Sequence, residues 1–378
     1  MRYGIIGTGM MGGEHIRNIA LLPDAEIAAL ADPDPGMLAA ATALSQELGH
    51  QPRGFNDHQA LLERERALDA IIVATPNHLH HAILLDAMET GLPILCEKPL
   101  ATTQEDAWHL VQRGELRRAP VWVAMEYRYM PPVAALIDTA HDGSLGELHM
   151  LSIREHRFPF LHKVGNWNRA NLNTGGTMVE KCCHFFDLMR RILRSDPVRL
   201  YASGGQAVNH LDESYDGRPA DIVDHGYVVL DFADGTRAAL DLCMFAEGSY
   251  WQEEISLVGS ASKIEARIPG PSRFWPGRGE REAELVLSPR SEKGPIQVPV
   301  PVSETLLAAG DHHGSTFYQH RAFARMVREG GGPEITLRDG AIAVQMGLAA
   351  EDSMRTGAPV AFDGAHVSAP AADALRTS

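Results

Sequence analysis

Two short segments carry residues suited to moving a hydride and a proton: Thr75-Pro76-Asn77-His78 and Cys96-Glu97-Lys98-Pro99. Each falls where a strand is expected to end, and ligands of open α/β sheets bind beyond the carboxyl ends of strands. Thr75, Pro76, Asn77 and His78 at one strand end, with Glu97 and Lys98 at its neighbour, would therefore border a reactive group. Pro99 disfavours the α region for Lys98 and holds it extended at the sheet edge; a surface ion pair between Glu97 and Lys98 is the plainer reading. A third segment, Gly175-Gly176-Thr177 through Asp187, opens a predicted helix over Thr177–Leu193. Glu180 and His184 are four residues apart and so share a face, where the carboxylate would orient the imidazole and raise its basicity for general-base work. Asp187 adds an acid three residues on. A helical His is more often a structural residue, so this assignment needs a cofactor site elsewhere. Cys182 and Cys183 beside His184 invite a metal reading, but adjacent residues point in different directions around a helix and cannot close one tetrahedral site.

The cofactor signal stands at the start of the chain. Gly7-Thr8-Gly9-Met10-Met11-Gly12 is G-x-G-x-x-G at a strand-to-helix junction. Gly7 permits the tight turn, Gly9 lets a pyrophosphate approach the backbone, Gly12 allows close helix–strand packing, and the helix N-terminus faces the phosphates. Asp32, at the expected end of the second strand, can accept both ribose hydroxyls of NAD and would repel the 2′-phosphate of NADP. Asp34 is better placed to cap the next helix.

The elements that must position these groups fall into two patterns. From Arg2 to Ala124, β-rich runs alternate with helical ones, which predicts an α/β Rossmann domain with a doubly wound parallel sheet. Strands are expected at 3–6, 26–31, 54–55, 70–74, 93–96 and 121–124, with helices at 12–22, 35–48, 57–64, 78–90 and 103–118. After Pro131-Pro132 the order becomes α+β: a helix to His141, then long strands at 147–157, 198–208, 223–232, 236–245 and 254–258, interrupted by the helix over Thr177–Leu193. Asp234-Gly235 is a hairpin signal, so this second domain should carry a large, mainly antiparallel open sheet. Pro269–Gly279 reads as a loop, Phe317–Arg328 and Asp339–Met354 as helices. The expected boundaries are 1–124, 125–365 and a loose tail, 366–378.

Composition sets limits on function. The 378 residues are 44% apolar and 22% charged, the balance of an ordinary globular protein. A formal net charge of −15 argues against nucleic acid as partner. Cys96, Cys182, Cys183 and Cys243 have no C-x-x-C spacing and read as reduced thiols of a cytoplasmic protein. Met1-Arg2-Tyr3 enters a strand directly, and no apolar run reaches the roughly 20 residues of a membrane helix.

With these motifs in hand, the sequence resembles the glucose-fructose oxidoreductase, inositol dehydrogenase and rhizopine catabolism family, written Gfo/Idh/MocA. The resemblance rests on Gly7–Gly12, Thr75–His78, Glu97-Lys98-Pro99, Tyr127-Arg128-Tyr129, Trp167 with Arg169, Gly175-Gly176 and the segment from Asp339 to Val360. It implies that Lys98 contacts substrate and nicotinamide, that His184 is the acid–base, and that Arg128, Trp167 and Arg169 join the NAD site. The family's usual partner of that His is an Asp, where this chain has Glu180. The resemblance also implies that the Asp339–Met354 helix packs near the first domain and that the open sheet face makes a homodimer or homotetramer.

The expected function is NAD-dependent oxidation of a secondary alcohol on a sugar or cyclitol, with Lys98, His184 and Glu180 catalytic. His156, Arg157, Lys163, Asn166, Tyr250 and His313, at strand ends or loops of the sheet domain, are expected to bind the other hydroxyls of a small polyhydroxylated substrate. Two rivals remain: reduction of a keto-sugar, and a non-catalytic dinucleotide-binding regulator, which loss of Lys98 or His184 would have signalled.

Overall fold

Short strands buried on both faces must be apolar within, and the first six strands are, with Arg2, Glu26, Arg53 and Glu97 confined to their ends. In this computed structural model, which describes residues 1–368 except 216, 272–273, 275–280, 292–293 and 364–365, they are β1 (Arg2–Ile6), β2 (Glu26–Ala31), β3 (Arg53–Phe55), β4 (Ala70–Val73), β5 (Ile94–Glu97) and β6 (Val121–Ala124). They pair in parallel in the order β3-β2-β1-β4-β5-β6, so the winding reverses between β1 and β4. That reversal opens a crevice at the strands' carboxyl ends. Helices Met10–Ala20, Pro35–Glu47, His58–Arg64, His80–Met88 and Gln104–Glu115 connect the strands. Asp34, Asp57 and Thr103 cap three of them by accepting backbone N–H groups of the first turn. The helix expected over 78–90 is shorter and is preceded by a 3-10 turn, Asn77–Leu79.

Contacts do not follow a single cut after residue 124. Residues 1–131 cluster with 162–175 and 302–344, and the second unit comprises 132–161, 176–301 and 345–378. Lys163, Asn166 and His313, expected on the sheet domain, therefore belong to the first unit. The reason is packing: the Trp167 ring lies edge-on to His78, 6.1 Å between centroids, and Glu14 binds the segment beginning at His312. The helix Leu337–Thr356 contributes to both units, and in the first its Gly340 packs so closely that a Cβ there would lie 3.0 Å from Val123.

The second unit is built on β7 (Leu148–His156), β8 (Pro197–Gly205), β9 (Ser214–Tyr215), β10 (Arg218–Pro219), β11 (His225–Phe232), β12 (Arg237–Cys243), β13 (Glu253–Gly259), β14 (Ser262–Ile268), β15 (Ala283–Pro289), β16 (Ile296–Val300), β17 (Val360–Asp363) and β18 (His366–Ser368). β9 and β10 form a small ribbon, and the other ten make one sheet in the order β16-β15-β14-β13-β7-β12-β11-β8-β17-β18. Within it β7 and β12 are parallel and every other pair is antiparallel. One face is buried by alternation: Val228, Leu230 and Phe232 of β11 point inward while Tyr227 and Val229 are exposed. The inner face gathers Ile153, Leu200, Leu240 and Ile255 with Phe185, Phe186, Leu188 and Ile192 of the helix Cys183–Leu193. The outermost strand, β16, carries Pro299 opposite Glu284.

Two expectations are corrected here. The single helix over Thr177–Leu193 is two, Thr177–Glu180 and Cys183–Leu193, because the amides of Lys181 and Cys182 both turn back to Thr177 O, at 2.9 and 3.4 Å. His366–Ser368, expected in a loose tail, pairs antiparallel with β17, which gives one side of its backbone hydrogen-bond partners. Strands β14 to β16 extend the sheet beyond the expected set, and in β14 Ile264, Ala266 and Ile268 alternate with Lys263, Glu265 and Arg267. Most of the Pro269–Gly279 loop, and the tail beyond 368, lie outside the described residues. Among the described residues no helix is long and apolar enough to cross a membrane.

Candidate active site

The glycines of the first loop divide into two crowded positions and one open one. Gly7 has φ +91°, and a Cβ on it would lie 2.5 Å from Ala74 O; its amide donates to Ala31 O at 2.9 Å, tying β1 to β2. Gly12 presses on the same turn, with 2.4 Å between a hypothetical Cβ and Gly7 O. At Gly9, the N-cap of the Met10–Ala20 helix, a Cβ would meet nothing within 4 Å. The fold needs glycine at 7 and 12, whereas at 9 the space lies open above the N-terminus of an eleven-residue helix. That open space suits a pyrophosphate, which backbone N–H groups and the helix dipole would hold. Thr8 is buried, Met10 is 48% exposed and Met11 half-buried on the rim.

Asp32 follows the end of β2 and is half-buried. Its Oδ2 accepts from the Thr8 amide at 2.7 Å and the Thr8 hydroxyl at 2.9 Å, and its Oδ1 accepts from Asp34 N at 2.9 Å. A carboxylate has about four lone-pair sites, so a ribose has one open site and gains a second only if the Thr8 hydroxyl turns away. Asp34 caps the next helix through Gly36 N and Met37 N.

Across the switch point, the loops after β4 and β5 pack against one buried imidazole. The His80 ring nitrogens stand 2.9 Å from Thr75 O and 2.7 Å from Pro99 O. A neutral ring donates to one of them at a time, and burial pushes its pKa down, so the imidazolium that would serve both is disfavoured. The buried ring thus packs between the Thr75–His78 loop and the Lys98–Pro99 peptide, which is cis, and hydrogen-bonds one of them at a time. Asn77 is buried, Pro76 half-buried, His78 exposed at the rim, and Lys98 half-buried at the end of β5. Burial lowers the His78 pKa, against a hydrogen bond to the Asn173 backbone.

Behind Lys98 lies a buried polar network absent from the sequence reading. Glu97 Oε1 is 3.0 Å from His15 Nε2, and His15 Nδ1 is 2.8 Å from His320 Nε2. Burial would raise the Glu97 pKa, but the hydrogen bond and charge of His15 and the charge of Lys98 bring it below its ordinary value. Burial holds His320 well down. Glu14, also buried, accepts from His312 and Thr316 at 2.7 Å each. Burial and the Glu97 charge lift Glu126 to about 7, against His312 and Lys98. No spacing could have revealed the network, since His15 and His320 are 305 residues apart.

Elsewhere in the first unit, Arg128 reaches Glu334 O at 3.2 Å and Arg169 is 1% exposed. Lys163 Nζ lies 4.4 Å from the centre of the Trp167 ring, and the Oδ1 of Asn166, a residue at φ +51°, stands 3.1 Å from His162 Nδ1. Burial takes the His313 imidazole down to about 4.

The remaining expected residues belong to the sheet unit. Glu180 and His184 are 3% and 1% exposed, on either side of the helix break. His156 ends β7 with Nε2 at 3.1 Å from Asp241 Oδ1, and the Arg157 guanidinium stacks on Phe158 at 4.1 Å. Tyr250 is exposed, with the Arg281 guanidinium 3.8 Å over its ring.

Comparison with known proteins covers both units. Residues 1–125 match the model of the oxidoreductase family with an NAD-binding Rossmann fold, and residues 139–362 the model of that family's C-terminal α/β domain. An inositol 2-dehydrogenase from Arthrobacter sp. is 31% identical over 257 residues, 66% of this chain and 69% of the relative. A myo-inositol 2-dehydrogenase from Thermotoga maritima is 24% identical over 358 residues, covering 94% of this chain and 96% of the other. A levoglucosan dehydrogenase solved with NADH and levoglucosan shares the fold at TM-score 0.79 and 19% identity, over 96% of this chain and 99% of that one.

Proposed function

Because the chain belongs to the Gfo/Idh/MocA family of NAD-binding oxidoreductases, we propose that it oxidises a secondary alcohol of a cyclitol or pyranose to the ketone, with Lys98 and His184 at the reacting oxygen. The observation that carries this reading is Lys98 itself. It stands at the end of β5, next to the strand bordering the switch point, in a loop that packs with the Thr75 carbonyl against His80. Inositol 2-dehydrogenase among the relatives makes a cyclitol the first substrate to try.

The Gly7–Gly12 loop, Asp32 and the Thr75–His78 loop would hold NAD, with Arg128, Trp167 and Arg169 completing the set. Bound there, NAD supplies the hydride acceptor. Lys98 donates a hydrogen bond to the substrate oxygen and stabilises the charge that develops as its proton leaves. His184 takes that proton, and Glu180 orients the ring. His156, Arg157, Lys163, Asn166, Tyr250 and His313 offer donors and acceptors to the other hydroxyls, and the open face of the sheet would join copies into a dimer or tetramer.

The test is direct: protein, NAD and a panel of myo-inositol, scyllo-inositol, glucose, xylose and levoglucosan, with NADH absorbance as readout. Turnover of at least one polyol is expected. NADH formation from none of them, with NADH binding intact, would overturn the alcohol-oxidation reading.

A further inference from the structure

The sheet unit buries three charged side chains that the reaction above does not use, Glu155, Glu253 and Lys181, beside the half-buried Arg157. Glu155 of β7 and Glu253 of β13 stand directly opposite one another in the antiparallel ladder, 0% and 2% exposed. Carboxylates opposed in this way have Cβ atoms about 5 Å apart, and like charges at that distance resist joint ionisation. Burial and the Glu155 charge accordingly raise Glu253 to about 7, against Lys181. The Lys181 Nζ lies 2.8 Å from Glu155 Oε1, and an Arg157 guanidinium nitrogen is 3.6 Å from the same oxygen. Gln252 donates to Glu253 at 2.7 Å. Lys181 is itself 4% exposed; burial presses its ammonium pKa down, and Glu155 opposes that.

The place of Lys181 in the chain gives this cluster a meaning beyond packing. Lys181 and Cys182 are the two residues of the break between the helix ending at Glu180 and the helix beginning at Cys183. An unbroken helix would fix Glu180 and His184 on one face by spacing alone. Here the first helix closes on Thr177 O, and the second restarts from Cys182 O, which accepts from Phe185 N and Phe186 N at 2.9 and 3.0 Å. The relative direction of Glu180 and His184 is therefore set by the backbone of Lys181 and Cys182. Of these, Lys181 is tethered by its side chain to the centre of the sheet.

We propose that the ion pair between Lys181 and Glu155 is a positioning device for the reaction: it ties the helix break to β7 and so sets the angle at which Glu180 and His184 leave their two helices. Lys181 acts through these neighbours and touches no reacting atom. The proposal rests on the reading of His184 as base and Glu180 as its partner.

A structural ion pair and a positioning one separate in a double variant. Lys181→Met alone takes from a buried carboxylate the nearer of its two cations and is expected to lower Tm. Lys181→Met with Glu155→Gln removes both charges, leaving Arg157 to face Glu253, and should bring Tm back to within a few degrees of wild type. Turnover, read as NADH formed from NAD and the best polyol of the panel, should stay depressed in the double variant. The expected loss in kcat is between ~10-fold and ~100-fold, the cost of ångström-scale misplacement. The NADH Kd, from fluorescence titration, should be unchanged. Recovery of kcat together with Tm in the double variant would overturn the proposal, as would normal kcat in folded Lys181→Met. His184→Ala run alongside tells the two failures apart. If His184→Ala is inactive while the double variant recovers, only the tether falls; if His184→Ala turns over normally, the reading of the base falls first.

Discussion

Asp32 and Thr8 are joined twice, the carboxylate Oδ2 accepting from both the amide and the hydroxyl of Thr8. The acid that would meet the ribose thus also braces the loop that would meet the pyrophosphate. Replacing it should affect both. In Asp32→Ala the ratio of kcat/KM for NAD over NADP is expected to fall at least ~10-fold, about 1.4 kcal/mol of discrimination, and the NADH Kd to rise. A wild-type ratio near one, or an unchanged ratio in the variant, would remove Asp32 from cofactor choice.

The crowded and open glycines predict opposite phenotypes. Gly12→Ala places a methyl 2.4 Å from Gly7 O and should destabilise the protein by about 1–3 kcal/mol, as overpacking does. Gly9→Ala meets no protein atom, so Tm should hold while NADH binding weakens. Calorimetry with a fluorescence titration checks the pair, and equal effects on Tm would contradict it.

Lys98→Met is expected to lose turnover while NADH binding stays within a few-fold of wild type, since on the proposed reading the Gly7–Gly12 loop would carry the pyrophosphate. The measurements are kcat with the best polyol and NADH Kd. Near-normal kcat would take Lys98 out of the chemistry.

For the base, His184→Ala should cost more turnover than Glu180→Gln. If His184 is the base, as proposed, the first removes the proton acceptor, whereas the second can keep a hydrogen bond to it. A loss in Glu180→Gln of ~10²-fold or less fits the usual range for general acid–base catalysis. The reverse order of severity would make Glu180 the base.

Glu351 yields a prediction about pH and stability. Its Oε1 accepts from Met178 N at 2.9 Å, and burial, with the Asp221 charge, raises its pKa from 4.5 to about 7. Between those values the folded protein holds a proton that the unfolded chain has released, so this contribution to stability is complete below 4.5 and is lost as pH rises through 7. The loss amounts to roughly 3 kcal/mol at most. Glu351→Gln keeps the acceptor without the titration, so it should match wild type near pH 4.5 and exceed it in Tm at pH 8. Parallel Tm curves for the two proteins across this range would refute the assignment.

Much of this architecture is written locally. Alternation of apolar strands and capped helices gives the first unit, because Asp34, Asp57 and Thr103 act within one turn of themselves. Gly7, Gly9 and Gly12 are legible for the same reason: turn, approach and packing are requirements of adjacent residues. What sequence spacing does not carry is long-range closure. The Glu97, His15 and His320 chain joins the end of β5 to two helices, one of them from the far end of the chain, and His80 acts by bridging two loops. The helix break is a different case. Thr177–Leu193 has an unbroken helical pattern, and the tertiary demand on Lys181, buried against Glu155, accompanies its division into two.

The large sheet ends at β16, whose Ile296 and Val298 are about half exposed. Such a strand offers a foreign chain a row of donors and acceptors to dock against, the geometry from which fibrous association starts. Pro299 has no N–H, so the row is missing a donor, and its ring stands where an incoming backbone would have to pass. One residue in the outermost strand thereby makes that border of the sheet a poor template for growth, and the apolar character of β16 can be retained without recruiting another chain edge to edge.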